Sequence, residues 1–370
     1  MKNQNYLKKA LKTIGIILIA IVAIVGSYVA YMSIQYYRIE DNVLIEAENN
    51  SDMILTAKEE HSVITYNIGF GAYNHEFSFF MDSGVMKDGT NVKGSDSKAE
   101  SKEVVIENTN NSIKFVDELD ADFYLFQEVD TKSTRSHNVN QYEMLKELGS
   151  EYSLSFANNF HSAFLMYPLT DPHGSVNAGL TTMSKYKINE SIRRQYPVSD
   201  DFITKFTDLD RCFLLSRIPV DNGKELVLIN THMSAYDEGG LIRKQQLKLL
   251  NEVLKEEYDK GNYVIVGGDF NHDIAGTKEV FTSNQNVPEW VFELDDSDLT
   301  AGYTFAIADN YREVATCRST DMPYIEGENY MASLDGFIVS DNIKDFRTEN
   351  MDTNFISSDH NPVVLYFTLQ

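Results

Sequence analysis

Two cysteines in 370 residues are too few for a disulfide-stapled fold, and Cys212 and Cys317 stand far apart with no metal-ligand spacing. They read as small buried thiols, with a bridge between them as the alternative. Basic residues are the second scarcity: 32 Lys and Arg face 56 Asp and Glu, a formal charge of −24. The first 37 residues hold four lysines and no acid, so the remainder is more acidic still. A surface of that sign repels polyanions at long range, which disfavours sequence-independent binding to DNA or RNA but leaves room for a local basic or metal-bearing cleft. There is also no internal repeat, and no second break in composition after His61. What is present in quantity is apolar material: 42% hydrophobic residues, with 21 Phe and 21 Tyr, enough for a sizeable core and too much for a disordered chain.

The N-terminus carries the longest apolar run. Lys2, Lys8, Lys9 and Lys12 form a basic segment, residues 1–12, ahead of an uncharged stretch rich in Ile, Val, Ala and Leu. About 20 such residues at ~1.5 Å each match a hydrocarbon thickness of ~30 Å. Residues 13–34 are therefore expected to form a transmembrane signal-anchor helix, flanked by interfacial Tyr28, Tyr31, Tyr36 and Tyr37. Lysines before it, with Glu40 and Asp41 beyond, favour a cytoplasmic N-terminus and put the rest of the chain outside, in a single-pass protein of the cell membrane. A cleaved signal peptide, giving a secreted form, is the competing reading. Residues 35–60 are polar and acid-rich and read as a linker into a domain spanning 61–370; within it, Lys87 to Glu103 is too polar for a core element and reads as a loop.

The domain alternates in type. "SVITYNI", "DFYLFQEV", "ELVLINTHMS", "NYVIVGGDFN", "YMASLDGFIVS" and "HNPVVLYFTL" read as strands, while "ENTNNSIKFVDELDA" and "GGLIRKQQLKLLNEVLKEEYDKG" carry apolar residues at helical spacing, the second closed by Gly261. Strands interleaved with helices describe a layered α/β domain. This pattern does not by itself separate a doubly wound parallel sheet from a sandwich of two sheets.

Polar residues next to those apolar runs carry the chemistry: Asn67 in "TYNIGFG", Glu128 in "FQEVD", His232 in "NTHMS", Asp269 and Asn271 in "GGDFNHD", and Asp359 with His360 in "SDHNP". A carboxylate or imidazole behind an apolar strand is costly to bury unless it is paired, bonded or metal-bound, so convergence on one sheet edge is the economical arrangement. Asp269 and Asn271 flank Phe270 and would share a face if the strand ran through them.

This ordered set resembles the endonuclease/exonuclease/phosphatase superfamily over nearly all of His61 to Leu369. The resemblance implies a four-layer α/β sandwich: two mostly antiparallel sheets packed face to face, helices outside, and the site at one rim. It implies metal ligation by Glu128, Asn67 and Asp359. Asp269 and Asn271 would orient water and hold a phosphoryl oxygen, His360 supported by Asp335 in "SLDGFIVS" would contact the scissile phosphate, and His232 would lie near the phosphate or leaving oxygen. "NAGLTTMSKY" and "DLDRCFLLS" look like further family segments that would bring Asn177 and Arg211 to the substrate, although Arg211 fits a structural ion pair equally. One departure stands out: where abasic endonucleases carry an acid two residues after the first asparagine, this chain has Gly69, so their metal shell is not reproduced in full. The remaining histidines, at 61, 75, 137, 161, 173 and 272, have no such support.

Oxygen-rich ligands select a hard ion, Mg²⁺ or Mn²⁺. The expected protein is a membrane-anchored, metal-dependent hydrolase of phosphate esters. Its outward, acidic placement favours a small-molecule or lipid head-group ester over nucleic acid, which remains a possible partner. An extracellular nuclease is the alternative enzyme, and a fold retained for binding without turnover is the alternative of another class.

Overall fold

The computed structural model describes residues 2–199, 209–235 and 241–370, so Gly239 and Gly240 of the second helical segment lie outside the described residues. Two sheets dominate. The larger runs, in spatial order, Val43–Ile45, Glu190–Gln195, Cys212–Pro219, Glu225–His232, Tyr263–Asp269, Asp335–Ser340 and Tyr303–Phe305. The smaller runs Asp345–Asn350, Val363–Thr368, Glu60–Asn67, Phe123–Asp130, Gly174–Ser184 and Ser153–Leu165. Each holds one parallel pair, Glu225–His232 with Tyr263–Asp269 and Glu60–Asn67 with Phe123–Asp130, and is otherwise antiparallel.

The period-2 alternation of buried residues explains the layering. Val63, Phe123, Leu125 and Leu365 from one sheet meet Leu226, Leu228, Ile265, Phe337 and Val339 from the other in a shared inner core. On the outer face of the larger sheet, Val227, Ile229, Val264 and Val266 pack under Leu250, Val253 and Leu254 of the helix Leu241–Asp259. On the outer face of the smaller sheet, Ile64, Tyr124 and Phe126 pack under Ile113 and Val116 of the helix Lys102–Asp117. The order helix, sheet, sheet, helix is the expected four-layer sandwich, and it excludes the doubly wound parallel sheet.

Local signals start and stop these helices. Ser101 caps Lys102–Asp117 by accepting the Val104 N–H at 3.2 Å, with Glu103 in the first turn and Lys114 in the last. Gly261, at φ 77°, ends the second helix with its N–H donating to the Tyr258 carbonyl at 2.9 Å.

A parallel pair needs a crossover, and in both sheets the crossover contains a helix. Parallel strands deliver their C-terminal ends to one edge, so Asn67 and Gln127–Glu128 lie side by side, as do His232 and Asp269. Antiparallel neighbours deliver their beginnings to that same edge: Asp335 pairs with Asp269, and Val363, just after Asp359–His360, pairs with Thr65. Beneath the rim a buried amide bridge bolts the sheets together. Gln127 Nε2 donates to Asn230 Oδ1 at 2.8 Å, and Asn230 Nδ2 donates to the carbonyls of Phe126 and Thr181.

Residues 35–60 are not a linker. Val43–Ile45 is an edge strand paired with Glu190–Gln195, Glu48 exchanges backbone hydrogen bonds with Leu154, and Leu55 is fully buried in the inner core. Two of its acids have partners on the domain: Asp41 meets Arg194 at 3.3 Å and Glu48 meets Lys146 at 2.8 Å. The polar stretch 87–103 is a loop only in part. Asn91–Lys93 pairs with Ser83–Val85 in a small ribbon, and the helix already starts at Lys102.

At the far end of the larger sheet, Glu257 accepts hydrogen bonds from Arg217, Lys260 and Asn262 at 2.7 to 3.0 Å. Burial opposes its charged form, but these donors hold its carboxyl down at about 2, against the ordinary 4.5. A depressed carboxyl contributes stability above pH 4.5 and loses it as pH falls through 2. Glu257→Gln is therefore expected to cost about 1–3 kcal/mol at neutral pH, by removing the buried carboxylate that accepts from half-buried Arg217, which keeps only Glu190 and Glu225. Denaturant melts at pH 7 and pH 3 should show the gap between variant and parent shrinking at the lower pH.

Candidate active site

The strand ends converge. Asp269, Asp335 and His360, all buried, have ligand atoms within 4.8 Å of one another. His360 Nδ1 lies 2.8 Å from Asp335 Oδ2, which turns Nε2 toward the rim, 3.7 Å from Asp269 Oδ2 and 3.9 Å from Asp359 Oδ2. Asn67 Nδ2 donates to Asp269 Oδ2 at 3.1 Å and lies 3.5 Å from His360 Nε2, while its Oδ1 accepts the Gly69 N–H. His232 Nε2 stands 3.4 Å from Asp269 Oδ2.

Asn271 reaches the site by a route the strand pattern does not show. The strand stops at Asp269, Asn271 is left-handed at φ 51°, and its N–H donates to Asp269 Oδ1 at 2.8 Å. The two residues are joined by an Asx turn, not by sharing a strand face, and the Asn271 amide is anchored on the Met233 carbonyl at 2.8 Å. Glu128 is equally constrained. It sits at φ 56° in a bulge between Phe126 and Val129 that re-aims its side chain at the rim, a costly conformation for a non-glycine residue.

Electrostatics follow from burial. Within the Asp335–His360 pair the balance of charges favours the proton on the imidazole. Burial pushes the Asp335 carboxyl up against the pull of His360, whereas for His360 the surrounding Asp335, Cys317, Asp359 and Asp269 outweigh burial and raise it well above 6.5. His232 goes the other way: burial, then Arg211, His360 and Arg135, push it well below 6.5, so it is neutral. Burial, reinforced by the negative field of Glu128, lifts Asp359 to about 7.

Gly69 permits this crowding. A Cβ there, at φ +50°, would lie 2.5 Å from the Tyr73 ring and 2.9 Å from Asp359 Oδ1. Gly69→Ala is expected to cost about 1–3 kcal/mol. It should also displace Asp359, which a thermal melt and a metal titration on the same sample would register.

The two substrate candidates lie at the edges of the cluster. Asn177 donates to Thr131 Oγ1 at 2.7 Å and accepts from Asn158, on the strand beside Glu128. Arg211 is buried immediately before the strand Cys212–Pro219 and acts on His232 through its charge. Three residues at the site escape the sequence reading. Arg135 chelates Asp130 and reaches Glu128 at 3.8 Å, stacked on Phe70 at 4.0 Å. Arg318 is buried with its charge on Asp359, and Cys317 Sγ lies 3.7 Å from His360 Nε2. Arg135 sits in a polar loop with no periodicity; a lone Arg inside "ATCRST" was the available signal for Arg318. Among the unsupported histidines, His61 pairs with Asp122 at 3.6 Å, His173 contacts the Ser97 carbonyl, and His272 Nδ1 contacts the Phe270 carbonyl at 2.6 Å, all structural roles.

A model of the Endonuclease/Exonuclease/phosphatase family matches residues 64–318. The chain belongs to that family. Members of the family are hydrolases acting on phosphoester bonds. Over 149 residues the chain is 27% identical to the inositol phosphosphingolipids phospholipase C of Schizosaccharomyces pombe, a stretch covering 38% of this chain and 35% of that protein, so the chain spans about a third of that relative's length. Two solved structures share the fold. TDP2 from C. elegans gives a TM-score of 0.54 at 13% identity, covering 86% of this chain and 77% of that one. A family protein from Leptotrichia buccalis gives 0.53 at 15% identity, covering 84% of this chain and 100% of that one.

Enzymes of this family generally use a divalent metal, and the residues present fit one. Glu128 pushes the Asp359 carboxyl up from across the rim, and Asp335 Oδ1 and His232 Nδ1 are buried without a hydrogen-bond partner among the described residues. A hard cation near Glu128, Asp359 and the Asn67 amide would relieve the carboxylate repulsion.

Proposed function

We propose that this family member is a membrane-anchored, divalent-metal-dependent phosphoesterase that acts outside the cytoplasm on a small-molecule or lipid head-group phosphoester. The observation that carries the reading is the convergence of Asn67, Asp269, Asp335 and His360 on one rim, with Glu128 and Asp359 beside them. Protonated His360, locked by Asp335, presents Nε2–H to a phosphoryl oxygen that gains charge in the transition state. Asp269 is held by Asn271 N–H and the Asn67 amide at the position where a carboxylate can accept a proton from the attacking water. Neutral His232 beside Asp269 and the amides of Asn67 and Asn271 supply polar contacts to the phosphate without adding negative charge. Asn177 and buried Arg211 flank the substrate side. Mg²⁺ or Mn²⁺ held by Glu128, Asn67 and Asp359 would supply Lewis-acid neutralisation of the phosphoryl oxygens.

The helix Lys2–Gln35 supports the anchor. Among the described residues it is the one helix long and apolar enough to cross a membrane, with a mean hydropathy of 2.5 over its most apolar window and no burial against the domain there. The acidic remainder of the chain favours a small or lipid-borne ester over a polyanion.

The test is hydrolysis of a panel of aryl phosphodiester, phosphomonoester, phosphocholine-type lipid and plasmid DNA by the full chain in detergent. Chelation is expected to abolish turnover and Mg²⁺ or Mn²⁺ to restore it. Glu128→Gln should raise the half-activating metal concentration about 10- to 100-fold. The thermal shift on adding metal should shrink in parallel, a readout independent of turnover. Inertness toward the whole panel would leave the binding-module reading standing, and dominant plasmid nicking would favour a nuclease.

A further inference from the structure

The apolar helix does not leave the domain at its last residue. Tyr28, seven residues before the helix ends at Gln35, donates its hydroxyl to the Phe164 carbonyl at 2.9 Å and accepts the Met166 N–H at 3.4 Å. Met32 is buried, the rings of Tyr37 and His161 lie 4.4 Å apart, and Arg38 pairs with Asp210 at 2.9 Å. Phe164 and His161 belong to the strand Ser153–Leu165, and Met166 directly follows it; that strand forms a long hairpin with Gly174–Ser184. The tip of that hairpin is therefore clasped to a residue inside the apolar helix rather than beyond it.

The tip itself is apolar. Met166, Tyr167 and Leu169 are 38%, 53% and 78% exposed, and Tyr167 packs by its ring 5.7 Å from Phe80, next to Met81 at 50% exposure. Asp171, the acid of the turn, is paired with Lys98. Large exposed apolar side chains gathered at one place mark an interaction surface, and Tyr and Met beside an apolar helix suit a lipid–water interface.

We infer that the hairpin tip around Met166, Tyr167 and Leu169 seats in the interfacial zone of the same bilayer that holds the helix, and that this second attachment fixes the catalytic rim next to the lipid head groups. This rests on the reading of the helix as an uncleaved anchor. The occupant is a zwitterionic lipid surface: a domain this acidic gains nothing from anionic lipid, so the attachment is driven by apolar burial. The hairpin also connects to the site. Just behind the tip, Thr134 N–H donates to the Ser175 carbonyl at 2.8 Å and Asn177 N–H donates to Ser133 Oγ at 2.9 Å, clamping the hairpin to the loop that carries Arg135, which in turn reaches Glu128.

The experiment uses the full chain in phosphatidylcholine nanodiscs, with Leu169→Cys carrying an environment-sensitive fluorophore; native Cys212 and Cys317 are buried and do not compete for the label. Spin-labelled lipid is expected to quench the probe and iodide in the water to lose access to it, relative to the same protein in detergent. Intact mass is read first: loss of the helix from the membrane-extracted chain overturns the anchor and this inference with it, whereas an intact chain whose probe stays open to iodide and untouched by spin-labelled lipid overturns the inference alone. Quenching in a chain inert toward every phosphoester would sustain the inference while the proposed function fails. In an active chain, Met166→Glu with Leu169→Glu is expected to raise KM for lipid-borne substrate about 10-fold, the scale of one large apolar side chain losing burial. Turnover of a soluble aryl phosphodiester should stay unchanged; an equal loss on both substrates would count against the membrane seat.

Discussion

Asp269→Asn is expected to lower kcat by about 10³- to 10⁴-fold while the protein stays folded. The side chain keeps its shape, so the Asx turn to Asn271 can persist through the remaining oxygen. What disappears is the negative charge that faces His232 Nε2 at 3.4 Å and His360 Nε2 at 3.7 Å, together with the capacity to take a proton from water. Asn67 makes the change sharper. Its Nδ2 donates to Asp269 Oδ2, and an amide NH₂ placed there would meet a donor with a donor, turning the Asn67 side chain off Gly69. Single-turnover kinetics with saturating metal should place the loss in the chemical step, and an unchanged melting temperature would separate it from unfolding. A variant with more than a tenth of parental kcat would remove Asp269 from the catalytic role.

His360→Gln and Asp335→Asn are expected to cost about 10²- to 10⁴-fold each, and the double variant hardly more than the worse single one. The pair works as a unit because Asp335 both orients the ring through the 2.8 Å contact and holds the proton on it. Asp335→Asn removes the largest of the groups that together outweigh burial, so the imidazole holds its proton less firmly even if its position is kept. That gives the two variants different pH behaviour. Asp335→Asn should recover part of its activity as pH falls, because added protons restore the imidazolium, whereas His360→Gln has nothing to protonate. Additive losses in the double variant would mean that the two side chains act independently, contrary to the geometry.

Much of the site is legible along the chain because burying a polar group at the end of an apolar strand demands an explanation. Asn67, Glu128, His232, Asp269 and His360 all follow from that cost together with the family resemblance. Arg135, Arg318 and Cys317 do not, since nothing in "DTKSTRSHN" or "ATCRST" shows that those loops fold back under the carboxylates. The same blindness turned residues 35–60 into a linker: Glu48 and Asp41, which look solvated in sequence, are matched by Lys146 and Arg194, 98 and 153 residues away.

Local chemistry in the sequence determined the alternation of elements, the helix cap at Ser101, the stop at Gly261, the apolar N-terminal helix and the identity of the polar groups that had to be satisfied. Periodicity and capping act within a few residues, which is why they can be read there. Only the tertiary structure decided that two parallel strand pairs and their antiparallel neighbours bring six such segments to one rim, that Asn271 arrives through a left-handed turn, and that the apolar N-terminal helix is clasped by a distant hairpin. Those outcomes depend on which strand pairs with which and in what direction, a choice made by the burial of two sheet faces at once and not encoded in any single segment.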